Sequence, residues 1–236
     1  MSVDFDFDGS VVLVTGVGGA LGGAVARAFD DAGATVCGAD IVAPESEDFL
    51  LDETAAIDYY QGDFTDEDDV ADIVASVVEE HGRLDALCNI AGTWRGGDPI
   101  HETDADTFDF LFDVNLKTMF LASKHALPHL RESEGAVVSV SARSSLEGGA
   151  GDGIYRATKA GVRLLTETIA AENEGVVRAN AVMPSVIDTP MNREMMPDAD
   201  FETWVDPDDI ATMMLFLCSE GATVTSGAAV PVYGEA

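Results

Sequence analysis

Short apolar runs alternate with longer segments of helical periodicity along the chain. Val11–Thr15 is an apolar run followed by glycines, which is typical of a strand buried on both faces of a parallel sheet. Leu21–Ala32 has helical periodicity, and Gly33 marks its end. The same criteria predict further strands at Thr35–Ala39, Tyr59–Gln61, Ala86–Ile90, Ala136–Val140, Arg178–Met183 and Ala228–Val232, helices at Asp66–His81, Tyr155–Glu172 and Asp208–Ser219, and a long helical stretch at Thr103–Leu130.

This alternation predicts βαβ units and therefore an α/β fold of the Rossmann type, a doubly wound parallel sheet between two layers of helices. No linker divides the 236 residues, so we expect a single three-layer α/β/α domain over 1–236. Residues 43–56 are acidic and irregular. Residues 188–206 also lack periodicity and predict a substrate lid, in which Met191, Met195, Met196 and Trp204 pack around an apolar substrate.

The charge balance excludes two classes of partner. The chain has 12 Lys and Arg against 44 Asp and Glu, a formal net charge of −32, which repels nucleic-acid phosphates and anionic membrane surfaces. The acids are dispersed, and the only lysines are Lys117, Lys124 and Lys159. This pattern favours a halophile's protein, because a Debye length of about 3 Å at 1 M salt screens the self-repulsion. The alternative is an acidic mesophilic protein with a basic partner.

The cysteines and the chain start suggest a cytoplasmic location. Cys37, Cys88 and Cys218 are far apart in apolar runs and predict buried thiols without disulfide or zinc spacing. The first ten residues carry three aspartates and no basic residue, so we expect no signal peptide. The sequence contains no run of about 18 uncharged apolar residues, so we expect no membrane-spanning helix.

A glycine-rich loop follows the first predicted strand and predicts a phosphate site. Gly16, Gly18, Gly19 and Gly22 allow a tight turn there, and the next helix offers free N–H groups to a pyrophosphate. Asp40 ends the second strand, where a carboxylate accepts hydrogen bonds from the adenosine ribose. Because no Arg or Lys lies beside Asp40 or in the loop, the sequence favours NAD over NADP as cofactor.

Further motifs follow in order along the chain. They are Gly62-Asp63-Phe64, Asn89-Ile90-Ala91-Gly92, Val114-Asn115-Leu116, Tyr155-Arg156-Ala157-Thr158-Lys159 and Pro184-Ser185-Val186-Ile187-Asp188-Thr189. With the glycine loop they resemble the short-chain dehydrogenase/reductase family from Val11 to about Tyr233. The chain departs from the family pattern at Ala20 and Ser185, where the family has glycines.

The resemblance implies a role for each motif. Asp63 contacts the adenine ring, Asn89 supports the central sheet beside the cofactor, and Asn115 helps to relay protons. The implied catalytic residues are Tyr155, Lys159 and Asn115. The implied cofactor-binding residues are Gly16, Gly19, Leu21, Gly22, Asp40, Ile41, Asp63, Phe64, Asn89, Ala91, Gly92, Tyr155, Lys159, Pro184, Ile187 and Thr189.

The spacing of Tyr155 and Lys159 has a chemical reason. Positions i and i+4 share one face of a helix, so the ammonium can approach the phenol and lower its pKa. Tyr155 can then exchange a proton with an alcohol or carbonyl while hydride moves to or from a nicotinamide. The sequence thus predicts an NAD-dependent oxidoreductase that acts on a secondary alcohol or carbonyl.

Ala142 stands where the family has a catalytic serine, thirteen residues before Tyr155. Loss of such a hydrogen-bond donor can cost about 10²–10³ in rate. Either Ser144 replaces it after a loop shift, or Tyr155 acts without it, or the enzyme is slow on ordinary alcohols; Ser141 is expected to point to the other face. The dihydropteridine reductase branch also lacks this serine and has a similar cofactor loop.

The sequence leaves two alternative functions open, and the resemblance also implies an oligomeric state. A dihydropteridine-reductase-like enzyme is one alternative, and a non-catalytic dinucleotide sensor or scaffold is the other. Family members are commonly dimers or tetramers, so the resemblance implies a homo-dimer or homo-tetramer built through the helices at Thr103–Leu130 and Tyr155–Glu172. His125 and His129 have helical i, i+4 spacing, but without a third ligand they predict no metal site.

Overall fold

A computed structural model describes residues 5–51 and 56–235 of the chain. Its principal elements are β1 (Val11–Thr15), α1 (Ala20–Asp31), β2 (Thr35–Asp40), β3 (Ile57–Gln61), α2 (Glu67–His81), β4 (Ala86–Asn89), α3 (Ala105–Phe112), α4 (Thr118–Ser133), β5 (Ala136–Val140), α5 (Gly153–Glu172), β6 (Arg178–Pro184), α6 (Pro190–Met195), α7 (Pro207–Cys218) and β7 (Ala229–Val232). A π-helical turn, Asp113–Lys117, joins α3 to α4, and short 3₁₀ turns lie at Arg143–Leu146, Phe201–Thr203 and Glu220–Ala222.

The seven strands form one parallel sheet in the order β3-β2-β1-β4-β5-β6-β7. The predicted α/β fold of the Rossmann type is thereby confirmed. The direction of winding reverses between β1 and β4. In such sheets the crevice outside the carboxyl ends of the strands at this switch point is where ligands bind.

Each face of the sheet has its own apolar core, because side chains alternate along a strand. Val12 and Val14 of β1 pack in the core that contains α1 and α7. Val11 and Leu13 pack in the core that contains α2, α4 and α5. All five residues of β1 are buried, as its uninterrupted apolar run predicts. The three cysteines are also buried free thiols, as predicted.

Two predicted segments differ from the structure, and a third is described only in part. The stretch Thr103–Leu130 is two α-helices joined by the π turn, and it begins at Ala105 and ends at Ser133. Residues 188–206, predicted to be irregular, include α6 and a 3₁₀ turn. The predicted irregular segment 43–56 includes residues 52–55, which lie outside the described part of the chain.

Among the described residues, no helix is both long and apolar enough to cross a bilayer. The same residues contain no group of three or more His, Cys, Asp or Glu side chains arranged to hold a metal ion.

Candidate active site

A cavity of about 1430 Å³ opens at the carboxyl ends of the strands. Its walls include Gly16 after β1, Asp40 at the end of β2, Ala91 after β4, Ser141 after β5 and Pro184 at the end of β6. Drug-sized ligand pockets usually measure about 300–1,000 Å³. The cavity therefore has room for a dinucleotide together with a small second molecule.

The glycine loop forms one end of this cavity, and only glycine fits at two of its positions. Gly16 has a positive φ of 71°, and a Cβ there would lie 2.9 Å from the Cα of Ala91. A Cβ on Gly22 would overlap the carbonyl oxygen of Gly16. The first turn of α1 has neither a side-chain cap nor an acidic residue, and it lines the cavity. This arrangement suits a pyrophosphate, since N–H donors and the positive end of the helix dipole meet there.

Asp40 is fixed at the end of β2 by two backbone donors. One carboxylate oxygen accepts a hydrogen bond from Gly18 N at 2.8 Å, and the other accepts one from Val42 N at 3.0 Å. The Tyr59 hydroxyl donates to the backbone oxygens of Asp40 and Val42 at 3.0 and 2.6 Å. The carboxylate thus has a defined position on the cavity wall, where a ribose hydroxyl can reach it.

A segment missed by sequence reasoning folds back over the glycine loop. Leu50 N donates to Gly18 O at 2.7 Å, and a Cβ on Gly18 would lie 2.6 Å from Cδ2 of Phe49. This packing brings Glu47 and Asp48 to the cavity wall beside Asp40. The cavity-lining cations of the described residues are Arg143, Arg156 and Lys159, which lie beyond β5 at the opposite end.

Most of the predicted cofactor-binding residues meet in this cavity. Its lining includes Gly16, Gly19, Leu21, Gly22, Asp40, Ile41, Asp63, Phe64, Ala91, Gly92, Tyr155, Lys159, Pro184, Ile187 and Thr189. These residues are separated along the sequence, and the ends of the parallel strands bring them to one edge of the sheet.

Asn89 and Asn115 lie behind the cavity wall and do not line it. The Asn89 amide donates to the hydroxyls of Ser123 and Ser139 at 3.2 Å each, so it links β4 to its neighbours. Asn115, in the π turn, accepts from Thr93 N at 2.7 Å and donates to Thr93 O at 2.9 Å. Both asparagines therefore position the cavity wall in this structure. Asn89 does not line the cavity, so its side chain does not reach the space that a cofactor would occupy.

Tyr155 and Lys159 lie one turn apart on α5, at the end of the cavity remote from Asp40. The Lys159 side chain is almost fully buried, with 5% of the residue's surface exposed. Its ammonium donates to Val140 O at 3.0 Å and lies 6.0 Å from the centre of the Tyr155 ring. Burial alone lowers the pKa of Lys159 from 10.5 to about 8.

The predicted effect of Lys159 on Tyr155 is not what the structure gives. Burial, followed by the negative charge of Asp152, raises the pKa of Tyr155 from 10.0 to about 12. Desolvation disfavours the phenolate, and the carboxylate three residues earlier repels it. Tyr155 is therefore protonated at neutral pH and is ready to donate a proton.

The side chains of the serines around Ala142 point in different directions. Ser141 is buried and donates its hydroxyl to Lys159 O at 2.7 Å, as expected of a side chain directed away from the reacting group. Ser145 is also buried, and its hydroxyl contacts the sulfur of Met183 at 3.7 Å. Ser144 is half-buried and lines the cavity together with Ala142. The 3₁₀ turn that begins at Arg143 brings Ser144 to the wall, and the sequence did not predict this turn.

The segment 188–206, predicted to be a substrate lid, contributes to the cavity wall. Met191, Met195 and Met196 are exposed and line the cavity, and their packing around an apolar substrate stays a prediction. Trp204 does not line it but packs against Phe201, with the ring centres 4.8 Å apart. The tryptophan at the cavity wall is instead Trp94, in the loop after β4.

Comparisons with known proteins agree with this geometry. Residues 16–234 match the family described as enoyl-(acyl carrier protein) reductase. The 3-oxoacyl-(acyl-carrier-protein) reductase FabG of Thermotoga maritima is 33% identical, and the alignment covers 96% of this chain and 97% of that protein. The meso-2,3-butanediol dehydrogenase of Serratia marcescens is 34% identical, with 98% and 95% covered.

Solved structures give the same result. A short-chain dehydrogenase/reductase of Brucella melitensis superposes with a TM-score of 0.89 at 27% identity, covering 98% of each chain. The ligand-free aldohexose dehydrogenase of Thermoplasma acidophilum superposes with a TM-score of 0.86 at 27% identity, covering 98% of this chain and 94% of the other. With the glycine loop, the Tyr155–Lys159 pair and the seven-stranded parallel sheet, these matches show that the chain belongs to the short-chain dehydrogenase/reductase family of oxidoreductases.

Proposed function

We propose that this protein is an NAD-dependent oxidoreductase that interconverts a secondary alcohol and a carbonyl, with Tyr155 as the acid and base. One observation carries the proposal. The glycine loop and Asp40 at one end, and Tyr155 with the buried Lys159 at the other, line a single continuous cavity. A nucleotide-binding sensor needs the first pair of features but has no use for the second.

The residues present fit a nicotinamide dinucleotide along this cavity. The amides of the glycine loop and the first turn of α1 would hold the pyrophosphate, and Asp40 would accept hydrogen bonds from the adenosine ribose. Asp63 and Phe64 would contact the adenine, while Pro184, Ile187 and Thr189 would flank the nicotinamide. When bound, the cofactor supplies or accepts the hydride.

The charges around Asp40 support NAD over NADP. Glu47 and Asp48 join Asp40 on this wall, and the described residues place no Lys or Arg there. A 2′-phosphate would lie among three carboxylates with no cation to pair with.

Tyr155 moves the proton in either direction. In carbonyl reduction its hydroxyl donates the proton to the substrate oxygen, and in alcohol oxidation its phenolate takes that proton back. The raised pKa of Tyr155 keeps its hydroxyl protonated at neutral pH, which is the form that carbonyl reduction uses. The Lys159 ammonium lies 6.0 Å from the centre of the Tyr155 ring, but burial and Asp152, not this cation, dominate the pKa of the Tyr155 hydroxyl.

Ser144 is our assignment for the missing hydroxyl donor. Ser141 and Ser144 both line the cavity, but the Ser141 hydroxyl donates to Lys159 O. The Ser145 hydroxyl contacts the Met183 sulfur, so Ser144 is the serine that remains for this role. A hydrogen bond from Ser144 to the reacting oxygen would stabilise the charge that develops there in the transition state.

The proposal also includes a homo-dimer or homo-tetramer. The helices expected at the interface carry large apolar side chains that are exposed in the single chain, namely Phe108 on α3, Phe120 on α4 and Leu164 on α5. Exposed apolar groups of this size are typical of association surfaces when they lie close together.

The test is Tyr155→Phe, which removes one hydroxyl and keeps the ring. NADH binding, followed by fluorescence, should match that of the wild type, while reduction of a panel of small ketones and aldehydes falls by at least about 10². A Tyr233→Phe variant is the control, since Tyr233 is not among the cavity-lining residues. If the wild type binds NADH but reduces none of the panel, the sensor alternative replaces this proposal.

A further inference from the structure

Asp152 presents a carboxylate to the substrate end of the cavity. It precedes the first residue of α5 and lies three residues before Tyr155, on the same side of the helix. Its side chain is 18% exposed, and the residue lines the cavity together with Tyr155 and Trp94. Among the described residues, Asp152 receives one side-chain hydrogen bond, at Oδ1, and Oδ2 accepts none.

Arg156 fixes the position of this carboxylate. Its Nε donates to Asp152 Oδ1 at 2.6 Å, and its Nη1 donates to Glu147 O at 3.2 Å. A Cβ on Gly149 would overlap the Arg156 guanidinium, so the loop 147–152 wraps closely around this side chain. Because Oδ1 is held in place, the free oxygen Oδ2 has a defined direction as well.

Trp94 lies next to Asp152 across a glycine. A Cβ on Gly96 would lie 3.0 Å from Cζ2 of Trp94 and 3.3 Å from the Cβ of Asp152. The indole is partly exposed at the wall of the cavity. This part of the site therefore combines an apolar ring with one anionic acceptor, and both lie beside the group that transfers the proton.

We propose that Asp152 selects substrates that carry a second hydroxyl group next to the reacting carbon, that is, hydroxyketones and the corresponding vicinal diols or polyols. The free Oδ2 accepts a hydrogen bond from that hydroxyl, and Trp94 covers the carbon skeleton. The inference rests on the proposed function. In the reduction, hydride from NADH would form the new C–H bond at the carbonyl carbon and the Tyr155 proton would form the new O–H bond. A proton from solvent would then restore Tyr155, so the hydroxyketone, NADH and one H⁺ give the diol and NAD⁺.

The charges at this end of the cavity favour a neutral hydroxylated substrate over an anion. Glu147, Asp152 and Glu194 contribute three carboxylates, and Arg143, Arg156 and Lys159 contribute three cations. Arg156 is already paired with Asp152, and the Arg143 guanidinium lies over the Tyr233 ring at 5.0 Å. Lys159 in turn donates to Val140 O. An acidic substrate would therefore meet carboxylates and cations that already contact other groups of the protein, whereas a neutral hydroxyl group can donate to Asp152 Oδ2.

The first arm of the test compares three four-carbon ketones with NADH as reductant. These are 3-hydroxy-2-butanone, 2-butanone and 3-oxobutanoate. We expect the wild type to favour 3-hydroxy-2-butanone, and Asp152→Ala to reduce the kcat/KM ratio of 3-hydroxy-2-butanone to 2-butanone by about tenfold or more, as for a lost hydrogen bond to a charged group. The ratio is the readout because an effect of Asp152 on Tyr155 enters the kcat/KM of both ketones and cancels in the ratio.

Glu147→Ala is the matched control. It removes a carboxylate from the same loop, while the backbone oxygen that binds Arg156 remains. The ratio should stay at the wild-type value. The proposal is overturned if Asp152→Ala leaves the ratio unchanged, if Glu147→Ala lowers it equally, or if 3-oxobutanoate is the preferred ketone.

A binding measurement separates this inference from the proposed function. In a Trp204→Phe background, the remaining tryptophan is Trp94, and its emission reports occupancy of this part of the cavity. If no ketone oxidises NADH, the proposed function fails. The inference still stands if 2,3-butanediol changes the emission at lower concentration than 2-butanol and Asp152→Ala removes that difference, and it is overturned if the two compounds titrate alike.

Discussion

Lys159 is a cation placed where burial penalises its charge. The ammonium has one backbone acceptor, and its pKa falls to about 8 because water is excluded. In the proposed function this buried charge serves the chemistry at Tyr155. A buried charge that serves function should be replaceable by an apolar group with a gain in stability and a loss of activity.

Lys159→Met tests directly whether removing this buried charge raises stability and abolishes activity. At pH 7 we expect the free energy of unfolding to rise by about 1–3 kcal/mol, and ketone reduction to be lost. Below pH 8 Lys159 is protonated in both the folded and the unfolded state, so the wild type carries the full free-energy cost of burying the charged ammonium. Between pH 8 and 10.5 the unfolded state binds more protons, so wild-type stability rises with pH and the advantage of the variant shrinks.

Denaturant unfolding from pH 6 to 10.5 measures this effect, and Lys117→Met is the control. Lys117 is half-exposed and lies 3.8 Å from Asp113 on the surface. Replacing it should change stability little at any pH. A Lys159→Met variant that is less stable than the wild type at pH 7 would contradict the account of its burial.

Ser144 and Ala142 form a second test at the residue scale. Ser144→Ala should lower kcat for ketone reduction by about 10²-fold, because the reacting oxygen loses its donor. Adding Ala142→Ser to that variant should restore most of the lost rate, since Ala142 also lines the cavity. Steady-state kinetics with NADH measure kcat for both variants. An unchanged kcat in Ser144→Ala would mean that Tyr155 acts without a hydroxyl donor.

At the scale of elements, the regular strands and helices were predictable and the positioning segments were not. Val11–Thr15 has an unbroken apolar run, and α2 has an Asp66 cap and a Gly82 stop with φ of 78°, so local signals fix both elements. The π turn around Asn115 has no such signal, because one extra residue in a turn leaves the apolar pattern of α3 and α4 readable as a single helix.

The geometry of the candidate site was likewise only partly predictable from the sequence. The motifs predicted which residue types gather at the carboxyl edge, but not the direction of each side chain. Asn89 belongs to a cofactor motif yet bonds Ser123 and Ser139 behind the wall. Glu47 and Asp48 reach the wall only because Phe49 packs on Gly18, a tertiary contact that an acidic irregular segment does not predict.

Gly22→Ala tests the packing of the glycine loop against α1. The added Cβ overlaps the carbonyl oxygen of Gly16, so the loop or the helix must shift, at a cost of about 1–3 kcal/mol. We expect a lower melting temperature and weaker NADH binding together. Gly148→Ala is the matched control because nothing lies within 4 Å of a Cβ there. Wild-type stability and binding in Gly22→Ala would contradict the loop geometry.

At the scale of the whole molecule, the net charge of −32 surrounds a cavity that keeps three cations at one end. Self-repulsion among dispersed carboxylates opposes the compact state, and salt screens it as the Debye length falls from about 10 Å at 0.1 M to about 3 Å at 1 M. The surface therefore predicts a protein that is most stable in concentrated salt, as expected for a halophile.

The melting temperature should rise steeply as KCl increases from about 0.1 M to 1 M. Sucrose at matched osmolality is the control, because it strengthens burial without screening charge. It should raise the melting temperature less than KCl does. A melting temperature that is independent of KCl, or equal increases in KCl and sucrose, would contradict the charge-screening account.

The most direct test of the whole account is a fluorescence titration of the protein with NADH and with NADPH, in about 2 M KCl to screen the surface charge. The account predicts that NADH binds at least about tenfold more tightly than NADPH, and that Asp40→Ala narrows the difference. Equal affinities, a preference for NADPH, or no binding of either by the folded protein would contradict the assignment of the cavity as an NAD site.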